Sequence, residues 1–152
     1  MTYQWKNSYH KVSADIAGAV CEELEKKENL NAKALVDVSR PDDAPLHSEF
    51  EWNDTEAAER WREQQARNII NSLTIVVDEN KAPVRKFFNV VTTEANYTST
   101  EVLLQHEDTR KKLLDRALRE LNSFKQKYAQ LTELAEVFTV IDDTSAKLEK
   151  SA

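Results

Sequence analysis

Apolar residues recur along this chain with several distinct periods, and each period implies an element. Ile16, Val20 and Leu24 repeat every four residues with Ala17 and Cys21 beside them, the stripe of an amphipathic helix, while Glu22, Glu23, Lys26 and Lys27 fall on the other face. Ser13 stands where an N-cap belongs. Before it, Tyr3, Trp5 and Tyr9 sit among polar residues over 3–12, which reads as an extended segment of the edge-strand type. After a break at Glu28-Asn29-Leu30, Asn31 can cap a second helix containing Leu35 and Val38. Pro41 stops that helix, because the residue before a proline is driven out of the helical region.

Residues 41 to 61, PDDAPLHSEFEWNDTEAAERW, break the pattern. Leu46, Ser48, Phe50 and Trp52 alternate with His47, Glu49, Glu51 and Asn53, a period of two that predicts an extended connector with Phe50 and Trp52 inward and the acids outward. Asn53 and Glu56 match a capping box opening a third helix. Its apolar side would be Ala57, Ala58, Trp61, Ala66, Ile69 and Ile70, with Arg60, Arg62, Glu63, Arg67 and Asn68 largely opposite. LTIVV (73–77) and VRKFFNVV (84–91) are rich in β-branched and aromatic residues and predict two strands, joined by the turn-like DENKAP into an antiparallel hairpin. Thr98 and Glu101 match a second capping box, ahead of a short helix through Val102, Leu103 and Leu104.

The longest pattern runs from Asp108 to about Ile141. Leu114, Ala117, Leu121, Phe124, Tyr128, Leu131, Ala135 and Phe138 are spaced alternately three and four apart, a heptad seam. Leu118, Leu134 and Ile141 broaden the stripe. One helix over 108–138 would be roughly 45 Å long. The resulting expectation is a mainly helical α+β fold with a β-hairpin and a long C-terminal amphipathic helix. It forms one domain over 1–142, with helices and hairpin in 1–107, the long helix in 108–141 and a frayed tail from 143 to 152. A seam of that length leaves apolar surface in water unless it is paired, so a homodimer is expected through Leu114, Leu121, Phe124, Tyr128, Leu131 and Phe138.

Composition narrows the function. A chain of 152 residues suits one domain that buries roughly 70% of its unfolded surface. A net charge of −6 disfavours non-specific attraction to DNA phosphates but leaves room for a local basic face. Cys21 is the only cysteine, so no intrachain disulfide forms, and its apolar setting marks it as a core residue. Gly18 is the only glycine, which excludes phosphate-cradling glycine loops and nucleophile elbows. No signal-type or membrane-spanning apolar run is present, so a cytoplasmic protein is expected, with no membrane contact and no cofactor.

Candidate chemistry is sparse. His47, Glu49 and Glu51 offer nitrogen and oxygen ligands on one face of an extended segment, but His10 and His106 lie in unrelated segments and no three ligands are spaced for a metal. Carboxylates occur on every polar face, none in an apolar setting that would tune it for acid–base work, so no catalytic residue is nominated. The order helix, break, helix, third helix, hairpin resembles a winged helix, and Arg60, Arg62, Gln64 and Arg67 are side-chain types that read base edges. Against DNA binding stand the long connector from Arg40 to Asn53 and its acidic residues. A protein partner is the remaining class. Acidic density from Asp42 to Glu59 (candidates His47, Glu49, Glu51, Asp54) and basic density from Arg110 to Lys127 (candidates Arg116, Arg119) make two faces of opposite sign.

Two blocks, LVDVSRPDDAPLHSEFEWNDTEAAERWREQQARNII and LLDRALRELNSFKQKYAQLTELAEVFTVID, carry a resemblance to a family of small proteins found in phages and prophages of bacteria. The resemblance spans most of the chain and brings no activity and no site residue with it. It implies a small mobile-element protein acting in a bacterial cytoplasm, or in a virion, that binds a host or phage protein or accompanies DNA. The expected function is non-enzymatic protein binding, ahead of DNA binding through residues 13–70 and of a metal-dependent enzyme using His47.

Overall fold

Strand pairing begins at the N-terminus. In a computed structural model that describes residues 2–7, 9–53, 56–90 and 96–151, and of Glu56 and Ala57 the backbone only, β1 (Thr2–Trp5) runs antiparallel to β2 (Leu73–Val76), with Trp5 beside Leu73 and Tyr3 beside Ile75. β2 pairs in turn with β3 (Val84–Arg85), so β1 is an edge strand, as its mixed composition predicts. The expected hairpin is present, but its second strand divides at Lys86. β4 (Phe87–Phe88) leaves the sheet and pairs with β5 (Thr98–Ser99). The Lys86 backbone N–H still donates to Leu73, while its buried ammonium lies 3.0 Å from a Glu101 carboxylate oxygen. That ion pair corrects the second capping box: Thr98 belongs to β5 and Glu101 serves Lys86. The short helix α4 (Thr100–Gln105) opens on Thr100, whose hydroxyl donates to the carbonyls of Arg85 and Lys86.

Helix caps follow the sequence more closely. α1 (Ala14–Lys26) starts at Ser13, whose side chain accepts the Ile16 N–H, and α2 (Ala32–Ser39) starts at Asn31, whose side chain accepts the Ala34 N–H at 2.9 Å. α1 ends where Glu28 takes a positive φ of 53° and Asn29 N–H returns to the Leu24 carbonyl. α2 ends ahead of Pro41. α3 (Glu56–Ser72) begins beside Asp54 and Thr55, which lie outside the description, as does the Glu56 side chain on which the Asn53–Glu56 capping box depends.

The core gathers Leu24, Leu30, Leu35, Val36, Leu46, Phe50, Ala66, Ile69, Ile70, Leu73 and Phe87. Two helices meet it with faces rotated from the expected ones. α1 buries Ala14, Ala17, Gly18, Cys21 and Leu24 and leaves Ile16 exposed. Its small residues admit β1: the Tyr3 ring lies directly on Gly18, and a Cβ there would clash with three of its ring carbons. The only glycine of the chain is thus required by close approach and not by its backbone angle. Tyr3 also donates its hydroxyl to Glu22 at 2.5 Å and its N–H to Asp15. α3 buries Arg62 and leaves Trp61 exposed, the reverse of the expected pair.

The chain divides into two compact units, Met1–Leu104 and Gln105–Ala152. The single long helix of the sequence reading is replaced by α5 (Glu107–Tyr128) and α6 (Ala135–Lys150), with one 3-10 turn at Thr132–Leu134 between them. The tail expected to fray is helical to Lys150. Neither proline nor glycine marks the break. Folding back buries Phe138 and Ile141, which one straight helix would leave in water.

Replacing Gly18 by alanine is expected to destabilise the protein. The gain in helix propensity is about 1 kcal/mol, and overpacking against the Tyr3 ring costs about 1–3 kcal/mol. In a Tyr3→Ala background the ring is gone and the same substitution should become stabilising, a reversal that urea denaturation of the four variants would reveal.

Candidate protein-binding surface

The joint between α2 and α3 is built from turns, not from a strand. Ala44 N–H bonds the Pro41 carbonyl, His47 N–H bonds that of Ala44, and His47–Glu49 forms a 3-10 turn. Leu46 and Phe50 remain buried as expected. Glu49 does not face outward. Its side chain is 5% exposed; Oε1 accepts the backbone N–H groups of Lys11 at 2.6 Å and Val12 at 2.7 Å, and Oε2 lies 3.2 Å from His10 Nδ1. Trp5 stacks on His10 and donates its indole N–H to the Val12 carbonyl. A period of two missed this because the 3-10 turn curls the chain, so an acid flanked by inward apolar residues also points inward.

Trp52 organises the other side of the joint. It donates its N–H to the His47 carbonyl and stacks on the His47 ring, and the guanidinium groups of Arg40 and Arg62 lie 5.8 and 5.0 Å from its ring centre. His47 Nδ1 lies 3.1 Å from the Ser39 carbonyl oxygen. The Glu51 side chain is exposed, and Asp54 lies outside the described residues. Glu49 is therefore not part of an outward acidic face, and His47, Glu49 and Glu51 do not converge as metal ligands. Among the described residues, no group of three His, Cys, Asp or Glu is placed to hold a metal ion.

The base-reading set is similarly dispersed. Arg62 is buried, donating Nε to the Glu51 carbonyl at 2.6 Å, Nη2 to that of Asn53 and Nη1 to Glu59. An arginine fits this crease because its stem is apolar and its fork serves several carbonyls; an indole there would strand them. Arg67 pairs with Glu63, while Arg60 and Gln64 stay exposed, Gln64 donating to Asn68. Cys21 is fully buried, and that burial, with Glu25 and Glu22 adding to it, pushes its thiol up to about 12, so it is no nucleophile near neutral pH.

The second unit exposes several large apolar side chains. α5 and α6 lie antiparallel: Lys125 bonds Asp142 at 2.6 Å, the rings of Phe124 and Phe138 are 6.4 Å apart, and Asn122 and Ser145 line one groove. The expected seam is split. Phe138 is buried within the hairpin, whereas Leu114, Leu121, Phe124, Tyr128 and Leu131 remain 36–47% exposed. Val137 and Val140 are exposed as well, and the sequence reading missed them because they fall outside the heptad of a single long helix.

Helical geometry places both exposed sets on one side. Leu118, Asn122 and Lys125 mark the face of α5 turned to α6, and Phe138, Ile141 and Ser145 mark the face of α6 turned to α5. The groove containing Asp115, Arg119 and Glu149 marks one flank of the pair. At about 100° per residue, Leu114, Leu121 and Tyr128 lie on the flank of α5 away from Asp115 and Arg119. Val137 and Val140 lie on the flank of α6 away from Glu149. The two sets fall on the same side of the hairpin. Of the nominated basic pair, Arg116 bonds Glu120 and Arg119 lines the opposite groove, so neither belongs to that face.

The two helices differ in charge. α5 carries seven basic residues (Arg110, Lys111, Lys112, Arg116, Arg119, Lys125, Lys127) against four acidic (Glu107, Asp108, Asp115, Glu120), a net +3. Residues 132–150 carry five acidic (Glu133, Glu136, Asp142, Asp143, Glu149) against two basic (Lys147, Lys150), a net −3. Among the described residues no helix is long and apolar enough to cross a membrane. No family model, curated protein or solved structure matches the chain.

Replacing Glu49 by alanine strands two backbone N–H groups, each costing about 1–3 kcal/mol, so a loss of about 2–4 kcal/mol is expected by denaturation, with faster amide exchange at Lys11 and Val12. Glu49→Gln retains an acceptor and should recover most of it. A thiol reagent at pH 8 should label Cys21 only as fast as the protein unfolds; rapid labelling of the folded protein would contradict the raised pKa.

Proposed function

We propose that the protein is a non-enzymatic binding protein acting through protein–protein contacts, and that it does so as a homodimer joined by the exposed face of its α5–α6 hairpin. The observation that carries this reading is the exposure of Leu114, Leu121, Phe124, Tyr128, Val137 and Val140 on one side of the hairpin. Two antiparallel helices bury only the stripe between them, and a second stripe left in water forgoes roughly 25 cal/mol for each Å² it could bury. Apolar surface gathered in this way marks an interface. What supports a non-enzymatic reading is the use to which the reactive side chains are put: Cys21 is sealed in the core, Glu49 holds backbone, and His47 packs on Trp52. The setting in this proposal is the one implied by the phage and prophage resemblance, a bacterial cytoplasm with a host or phage protein as the further partner.

Light scattering is expected to give twice the 17.5 kDa chain mass. Leu121→Asp or Phe124→Asp should weaken the dimer by at least about a hundredfold, since two-fold symmetry buries the new charge twice. Circular dichroism should show the helices retained. A 17.5 kDa species at every concentration tried would remove the proposal.

A further inference from the structure

The dimer reading leaves open how one hairpin lies on the other, and the charge of the two helices decides it. Two apolar faces can meet about a two-fold axis in only two ways. If the axis runs parallel to the helices, α5 of one copy covers α6 of the other, and every neighbouring pair is antiparallel. If the axis lies in the interface but perpendicular to the helices, α5 covers α5 and α6 covers α6. The second arrangement sets a net +3 against +3 and −3 against −3, whereas the first sets +3 against −3 on both sides. We infer that the partner of this face is a second copy of the chain in the first arrangement, an antiparallel four-helix bundle with α5 over α6 of the other copy.

The register follows from the hairpin itself. Lys125 bonds Asp142, Asn122 shares a groove with Ser145 and the Phe124 ring lies 6.4 Å from that of Phe138, pairs whose residue numbers sum to 267, 267 and 262, so heights along the two helices correspond when residue numbers sum to roughly 265. An axis parallel to the helices preserves height. Phe124 therefore meets Val140 of the second copy and Tyr128 meets Val137 of the second copy, a large ring against a small β-branched side chain at each level. Leu121 meets Thr144 of the second copy. Along the outer edges Glu120 comes level with Lys147 of the second copy and Lys127 with Glu136 of the second copy, both of opposite sign. The apolar match and the charge match thus select the same arrangement. The opposite groove, with Asp115, Arg119 and Glu149, stays open to solvent and free for another partner.

The inference rests on the dimer reading, and one experiment separates their failures. The single natural thiol, Cys21, is fully buried, so introduced cysteines report alone. Leu121→Cys and Thr144→Cys chains, prepared separately, are mixed and treated with a short bismaleimide at a concentration where the unmodified protein scatters as a dimer, with unmodified protein as control. The expected product is a covalent pair containing one chain of each variant as the dominant species, with each variant alone giving little. A dimer that yields no mixed pair, or links Leu121→Cys chains to each other, overturns the arrangement while leaving the dimer standing. A chain that scatters as a monomer throughout overturns both. As a second reading, Glu120→Lys with Lys147→Glu in the same chain should restore at least about tenfold of the affinity that Glu120→Lys alone removes; no restoration counts against the register.

Discussion

The carboxylate of Glu49 accepts two backbone N–H groups from Lys11 and Val12, and the first half of the molecule is arranged so that this contact can exist. It ties the segment following β1 to the turn between α2 and α3, which are otherwise far apart in sequence. β1 is thereby held against β2, and with it the Tyr3 ring on Gly18 and the Trp5 stack on His10. A carboxylate is suited to this because its oxygens accept several donors at once, and a backbone turn that aims two N–H groups at one point needs such an acceptor. On the far side of the same turn Arg62 performs the inverse task, donating to the carbonyls of Glu51 and Asn53. One buried acid and one buried base therefore satisfy the polar backbone of a connector that has no strand or helix to do so.

The second unit obeys a different constraint. Among its described residues there is no buried polar side chain, and its two helices are held by Phe138, Ile141 and the Lys125–Asp142 pair. A helical pair of this size has little interior, and the apolar residues it cannot bury are concentrated on one flank instead of being scattered. That concentration is why the proposed activity is placed here and not at the acidic connector.

Much of the local structure was legible. Ser13 and Asn31 are caps because a short polar side chain beside its own backbone needs no distant partner to act. Pro41 ends α2, and the β-branched runs around 73–76 and 84–88 pair, for equally local reasons. The misreadings have a common source. Trp61 and Arg62 exchanged their expected places because a crease lined with carbonyls, not hydrophobicity, decided which side chain was buried. Glu49 turned inward because its donors lie 37 or 38 residues away. The Thr98–Glu101 box dissolved because Lys86 needed the acid.

From the sequence alone came the class, mainly helical α+β, the caps, the hairpin and the existence of an apolar seam near the C-terminus. These depend on periodicity and on neighbours within a few residues, and both are written in the chain. Only the tertiary structure decided that the seam breaks after Tyr128, that Phe138 and Ile141 close onto α5 while Leu114, Leu121 and Phe124 stay outside, and that Val137 and Val140 join them on one flank. No residue at the break forbids a continuing helix. The turn exists because burying two large apolar side chains outweighs the few helical hydrogen bonds lost there, and that balance depends on contacts between residues distant in the chain.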